Sequence, residues 1–388
     1  MSIEVLDTPT AVPGWDTALG DRDTFYASRD WLVFSDSDGE ARARYAVAGD
    51  AGTPSAMLPA HLARIESNGR YRPGHEVRAL ASCPHRLAVL GGRRGHRSVP
   101  LPTAEVLPGL RAAAVTAFDE TVDGWWWPYL LSEEVGVASG ASVDHRPAVS
   151  LLNADCVLDV PGSSLDDYLA ALPNKRRRYN VRQEMGTFAA SGLTVRRLRL
   201  SECWEQGGLL ASNVQRRYGH DHSPELMADV LRRQARQLDH RSVVFGCYDG
   251  ARMVGFSLAY RWRSELVIRL VGFDYDRLRA AFEYPQLVFY SPLEFCYEQG
   301  LTGIQLGTSG LGAKALRGAR IRPLWSVVQC DCVSGPTDVA TVLNGRLDTL
   351  TRQLPDSEAH RFTAGIRPLA EAFATAAQTP EPPKGQNP

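Results

Sequence analysis

Residues 242–273 constrain the fold more than any other part of this 388-residue chain. Two alternating apolar runs, 242–248 and 251–261, flank Asp249-Gly250, a strong signal for a tight hairpin. A third run, 265–273, follows at once, so the segment reads as a three-strand antiparallel meander. Residues 165–191 before it read as helix, capped by Ser163-Ser164 with Asp166 and Asp167 in the first turn. Pro173 splits that segment into two helices. A strand at 193–198 and helices at about 201–217 and 223–238 lead into the meander. After it come a helix over 285–299 stopped by Gly300, a strand at 303–307, a helical turn at 313–317 and a strand at 323–332. The expected class is α/β (α+β), a mixed and mostly antiparallel sheet flanked by helices.

The length exceeds the roughly 250–300 residues at which one core stops growing, so two domains are expected. We place them at 1–150 and 151–335, followed by a helical segment at 336–377 and a Pro-rich polar tail at 378–388 read as disordered. The first half reads as short strands at 45–47, 55–58, 76–81 and 86–90, a helix at 108–118 and a strand at 125–131. Its Trp125-Trp126-Trp127 run is read as sheet core rather than as a stacking platform. Net charge is −1, which argues against a protein that coats nucleic acid with its whole surface. The balance hides an acidic first half and a slightly basic second half. Only Lys175, Lys314 and Lys384 are lysines among 43 basic residues, which makes each worth inspecting.

The N-terminus lacks a basic n-region and an apolar h-region, and no charge-free apolar run reaches the ~18 residues of a membrane span. A cytoplasmic protein is the expectation. The seven cysteines are scattered, with no pairs at zinc-ligand spacing, so they are read as buried free thiols and no metal is expected.

Two segments carry a more specific signal. Leu172-Pro-Asn-Lys-Arg-Arg-Arg-Tyr-Asn-Val-Arg182 resembles the basic helix that opens the second domain of Fem-like, double-GNAT transferases. Gly272-Phe-Asp-Tyr275, Ser291-Pro292, Glu298-Gln-Gly300, Leu306-Gly307 and Lys314 resemble the strand–helix–strand module of the same proteins. The similarity spans about 160–330, and Phe25-Tyr-Ala-Ser-Arg-Asp-Trp31 is similar to the family's opening segment. The resemblance implies two GNAT-like domains with an acceptor groove at their junction. It also implies transfer of an aminoacyl or acyl group to an amine, from aminoacyl-tRNA or acyl-CoA.

The donor question turns on one loop. CoA-dependent GNAT enzymes cradle pyrophosphate on a glycine-rich turn after the fourth strand. Residues 274–285 contain no glycine, so converging backbone amides are not expected there. Arg277 and Arg279 are side chains that can bind phosphate instead. Lys175, Arg176, Arg177, Arg178 and Arg182 suit the phosphates of a tRNA acceptor stem, or else form a solvated face neutralised by Glu184 and nearby acids. Lys314, after the 303–307 strand, is a candidate for the donor phosphate or the oxyanion.

For proton transfer, Glu283, His220 and His222 are candidate bases, and Tyr284 and Tyr290 candidate acids. Glu133 and Glu134 are candidates for a cationic acceptor. Gly310-Leu-Gly312-Ala-Lys-Ala315 fits a dinucleotide fingerprint, but the helix after it is too short and too little chain follows. No G-x-S-x-G hydrolase elbow occurs. The expected function is therefore amide formation from aminoacyl-tRNA onto a small-molecule amine or cell-wall precursor, with no cofactor. Acyl-CoA-dependent N-acylation is the first alternative, and a non-catalytic RNA-binding or cell-wall-recognition module the second.

Overall fold

The computed structural model describes residues 2–20, 24–77, 80–81, 83, 86–98, 102–140, 147–333 and 338–378. Of the expected disordered tail, all but Gln378 lies outside the described residues. The strands are β1 (Ile3–Leu6), β2 (Ala41–Asp50), β3 (Thr53–Ala63), β4 (Leu87–Leu90), β5 (Gly124–Leu130) and β6 (Ala148–Asp159). They continue as β7 (Thr194–Leu198), β8 (Ser242–Asp249), β9 (Arg252–Trp262), β10 (Glu265–Phe273), β11 (Gly303–Gly307) and β12 (Arg320–Cys330). The chain divides into two compact units, Met1–Ala154 with Arg322–Pro388, and Asp155–Ile321. Residues 322–335, read from sequence as part of the second domain, group with the first unit. The reason is that β12 runs antiparallel beside β5, from Trp325↔Leu130 to Cys330↔Gly124.

In the first unit the strand order is β1-β2-β3-β4-β5-β12, antiparallel at each printed pairing except the parallel β4–β5. In the second it is β7-β8-β9-β10-β11-β6, with β10–β11 parallel and the rest antiparallel. Both units are thus the expected mixed, mostly antiparallel sheets flanked by helices. β5 lies between two strands and is buried along nearly its whole length, which explains its unbroken apolar sequence. Trp126 and Trp127 are fully buried there, with Trp127 Nε1 donating to Ser98 Oγ at 2.7 Å, so the tryptophan run is core.

One strand expectation fails. Residue 76 ends the short helix Pro73–Glu76, which starts with proline at its first position. The buried Glu76 carboxylate accepts Arg346 Nη2 at 2.9 Å, and residues 78 and 79 of that stretch lie outside the described set. The cysteine reading also changes. Cys83 and Cys332 form a disulfide, whereas Cys156, Cys203, Cys247, Cys296 and Cys330 are free and buried.

The second unit follows the sequence pattern closely. β8 and β9 pair through to Asp249↔Arg252, with Gly250 at φ +61° in the turn. The split at Pro173 gives helices Leu165–Ala171 and Lys175–Ala190, capped by Ser164 and Asn174. Among the described residues no helix is long and apolar enough to cross a membrane.

Candidate active site

β10 and β11 pair only at Glu265↔Gly303, Leu266↔Ile304 and Val267↔Gln305. Beyond this short ladder β10 carries an irregularity between Ile268 and Leu270 against β9. β11 carries one between Gln305 and Gly307 against β6. The strands then run on to Phe273 and Gly307 unpaired with each other, so the ladder opens at their C-terminal ends. Helix Trp204–Arg217 packs tightly against β10 because residue 272 is glycine. A Cβ there would stand 2.4 Å from Phe256 and 2.6 Å from the backbone of Leu210 and Ala211. Asn213 Nδ2 donates to the Phe273 carbonyl at 3.0 Å and fixes that strand end.

Tyr284 lies at this opening. Its ring sits 6.2 Å from Phe273 and 6.1 Å from Phe289. Its hydroxyl lies beside Gly310, 3.5 Å from where a Cβ would be, so the phenol reaches from the β10 side to the loop after β11. Burial pushes its pKa up to about 12, against the pull of Arg317 and with the help of Tyr218 and Cys156. Tyr275 feels Tyr218 too, and Arg217 stacks 4.3 Å over the Tyr275 ring. The loop after helix Trp204–Arg217 therefore flanks the tyrosines. His220 and His222 lie on that loop, exposed and stacked on each other at 5.9 Å.

Behind the opening is a buried polar cluster. Helix Glu283–Gln299 contains a π-turn at Gln286–Tyr290, and such turns recur at functional sites. Tyr290 Oη donates to Glu184 Oε2, which also accepts Arg317 Nη2 at 2.7 Å and Nε at 3.1 Å. Burial first, then the bond to Glu184, pushes the Tyr290 pKa well up. Burial disfavours the Arg317 charge, yet Tyr290 and Glu184 more than offset it and hold its pKa above the usual arginine value. Lys314 is buried as well, its ammonium donating to the carbonyls of Leu306 and, at 3.4 Å, Gly307. It secures the end of β11 rather than standing at the surface.

Glu283 is 3% exposed, and its carboxylate accepts the backbone N–H groups of Arg279 at 2.6 Å and Ala281 at 2.9 Å. The loop 274–282 thus folds around an internal anion, with Ala280 and Phe282 held at φ +52° and +62°. The Arg279 side chain is spent on the Ser191 carbonyl and, at 2.7 Å, Asp249 Oδ1. Arg277 leans on Asp274 at 3.8 Å and is half exposed.

The cations of helix Lys175–Ala190 divide. Arg177 Nη1 donates to the Ala315 carbonyl at 3.1 Å and Arg178 Nη1 to the Leu172 carbonyl at 2.8 Å. Lys175, Arg176 and Arg182 are exposed and form no ion pair among the described residues. At 100° per residue, Lys175, Tyr179 and Arg182 share a sector of roughly 60°. Tyr179 is 61% exposed, so the stripe is cationic with an aromatic at its centre. An open recess of about 610 Å³, lined by Gln183, Gly186, Thr187, Ala190 and Arg279, continues along the same helix. Glu184 does not neutralise this face, because it turns inward to Arg317.

Glu133 and Glu134 lie in the first unit. Glu133 is exposed, and Glu134 caps helix Ser132–Ser139 by accepting Leu131 N–H at 2.6 Å. Four contributors were not singled out from sequence as site residues: Arg317, Tyr218, Tyr179 and Glu184. Only Glu184 had a legible signal, its spacing of three and four from the buried Val181 and Phe188.

Residues 158–332 match the FemAB-like family model, described as peptidoglycan biosynthesis/recognition. No curated protein matches the chain in sequence. Among solved structures, FemX is similar with a TM-score of 0.56 at 12% identity, covering 90% of this chain and 99% of its own. The C-terminal domain of a putative lysylphosphatidylglycerol synthetase from Agrobacterium fabrum gives 0.51 at 13% identity, over 82% and 92%. The L-PGS structure from Bacillus licheniformis gives 0.50 at 12%, over 86% and 95%. With the motifs and the paired sheet plan, these likenesses show that the chain has the fold of FemX, with residues 158–332 similar to the FemAB-like family.

Proposed function

We propose that this Fem-like acyltransferase moves an aminoacyl group from aminoacyl-tRNA to the amine of a small molecule or cell-wall precursor, forming an amide. The observation that carries this reading is the placement of Glu283. Its carboxylate takes two loop N–H groups where a CoA-type donor would need amides for its diphosphate. With both N–H groups already bonded to the Glu283 side chain, neither is left to meet a diphosphate. The exposed Lys175–Tyr179–Arg182 stripe supports the same donor, pairing phosphate neutralisation with a stacking surface.

In this reading the ester carbonyl enters the opening between β10 and β11, and the acceptor amine approaches past the 218–222 loop. The amine nitrogen attacks the carbonyl carbon; the C–N bond forms and charge collects on the oxygen. When the C–O bond to the terminal ribose breaks, Tyr284 gives its proton to the leaving oxygen. Its raised pKa keeps that proton in place at neutral pH. The ammonium proton passes to His220 or His222. A well-placed donor to the oxyanion is worth ~3–4 kcal/mol, and fixing two substrates contributes several more. Lys314 acts as a positioning residue for the end of β11, as do Glu184 and Arg317 for Tyr290.

Ligand-dependent unfolding tests the donor class. Deacylated tRNA at about 100 times its Kd is expected to stabilise the protein by about 2.7 kcal/mol, and CoA not at all. Stabilisation by CoA with none by tRNA overturns the proposal in favour of acyl-CoA-dependent N-acylation.

A further inference from the structure

Cys83 meets Cys330 and Cys332 at the end of β12 in the first unit, 249 residues before Cys332 in sequence but with all three sulfurs within 4.8 Å of one another. Cys330 Sγ lies 2.8 Å from Cys332 Sγ and 3.5 Å from Cys83 Sγ, while Cys83 and Cys332 are joined. A covalent staple needs two sulfurs, and here the third sits in contact with both. Cys330 is buried beside the apolar cluster of Tyr71, Leu87, Trp126 and Val328, Cys83 is half-buried and Cys332 is exposed. The cluster therefore has an apolar floor and one open side, the form of a three-ligand metal site with a free fourth position.

We propose that, once reduced, Cys83, Cys330 and Cys332 bind a soft divalent metal ion, zinc by preference. A dithiol reductant first donates two electrons to the Cys83–Cys332 bond, giving two thiols and its own disulfide. Zinc then displaces three S–H protons to solvent and forms three Zn–S bonds, with water in the fourth position. Tetrahedral Zn–S bonds of about 2.3 Å put sulfurs roughly 3.8 Å apart. The Cys330–Cys83 separation of 3.5 Å is near that value, and the Cys330–Cys332 separation of 2.8 Å must widen by about 1 Å. Bound metal would tie the end of β12 to the segment before β4, bracing both neighbours of β5.

The test uses the full chain, reduced with dithiothreitol and desalted without oxygen, titrated with cobalt(II) as a spectroscopic stand-in. One equivalent is expected to give a thiolate-to-cobalt charge-transfer band that zinc abolishes, and zinc is expected to shield three of the seven thiols from alkylation. Losing one ligand by Cys330→Ser is expected to weaken binding beyond the roughly 10–100-fold that losing an outer partner costs. Cys203→Ser is expected to bind as the parent does. Where Cys330→Ser alters the far-UV circular dichroism, the exposed Cys332→Ser carries the same comparison. Absence of the band in the parent protein, or its survival in Cys332→Ser and Cys83→Ser, overturns the proposal.

Discussion

Replacing Glu283 with alanine separates what this carboxylate does for the fold from what it denies a ligand. It accepts two backbone N–H groups, from Arg279 and Ala281, in a loop whose Ala280 and Phe282 are left-handed. Each left-handed non-glycine residue costs roughly 1–2 kcal/mol, so the loop carries about 2–4 kcal/mol of strain. Hydrogen bonds to a charged acceptor contribute roughly 1.5–3 kcal/mol each, so the carboxylate supplies about 3–6 kcal/mol. The margin is only a few kcal/mol, and Glu283→Ala removes more than the margin. The loop should therefore open locally while β8 and β9, held by their own ladder, stay closed. Hydrogen exchange is the assay. The Arg279 and Ala281 amides are expected to lose protection in the variant, with the β8–β9 amides unchanged. Inorganic pyrophosphate is expected to restore protection in the variant and to leave the parent protein unaffected. Persistent protection of both amides in Glu283→Ala, or pyrophosphate binding to the parent, would mean that the Glu283 carboxylate neither holds the loop nor blocks it.

Three further outcomes follow from the geometry. Lys175→Ala with Arg182→Ala is expected to lower the slope of log K against log salt for tRNA by about 1.4–1.8, whereas Arg177→Ala lowers stability instead, because its guanidinium holds the Ala315 carbonyl. Tyr284 has a folded pKa pushed above its ordinary value of 10 to about 12, so its stabilisation is complete below pH 10 and lost as pH rises through 12. Urea unfolding across that window should fall by about 2.7 kcal/mol more in the parent than in Tyr284→Phe, while that variant loses kcat with little change in KM. Arg317→Met leaves the largely buried Glu184 carboxylate without its guanidinium, and denaturant unfolding should register a loss of about 3–5 kcal/mol, much of it recovered by adding Glu184→Gln.

The second unit was legible because its signals are local. Asp249-Gly250, Pro173 and Gly300 each dictate backbone geometry within a few residues, and the apolar periods between them are long. The basic helix was found by its composition, but the division of its cations was not, because Arg177 and Arg178 choose carbonyl partners that only the folded turn supplies. Glu283 reads from sequence as a free carboxylate, since nothing local reveals that loop amides four and two residues earlier converge on it. Cys83 and Cys332 likewise meet only because β5 pairs with both β4 and β12, a register no spacing rule encodes. At the start of the strand expected over 76–81, Glu76 instead closes the Pro73–Glu76 helix, whose first-position proline favours a turn of helix.

An aminoacyl-tRNA donor is read directly from the mass of an amine after incubation with the protein and total charged tRNA, with a parallel incubation in acyl-CoA. The expected result is a mass gain of one aminoacyl residue that disappears when the tRNA is digested with RNase beforehand. An acyl adduct formed from acyl-CoA alone, and unaffected by RNase, would contradict it.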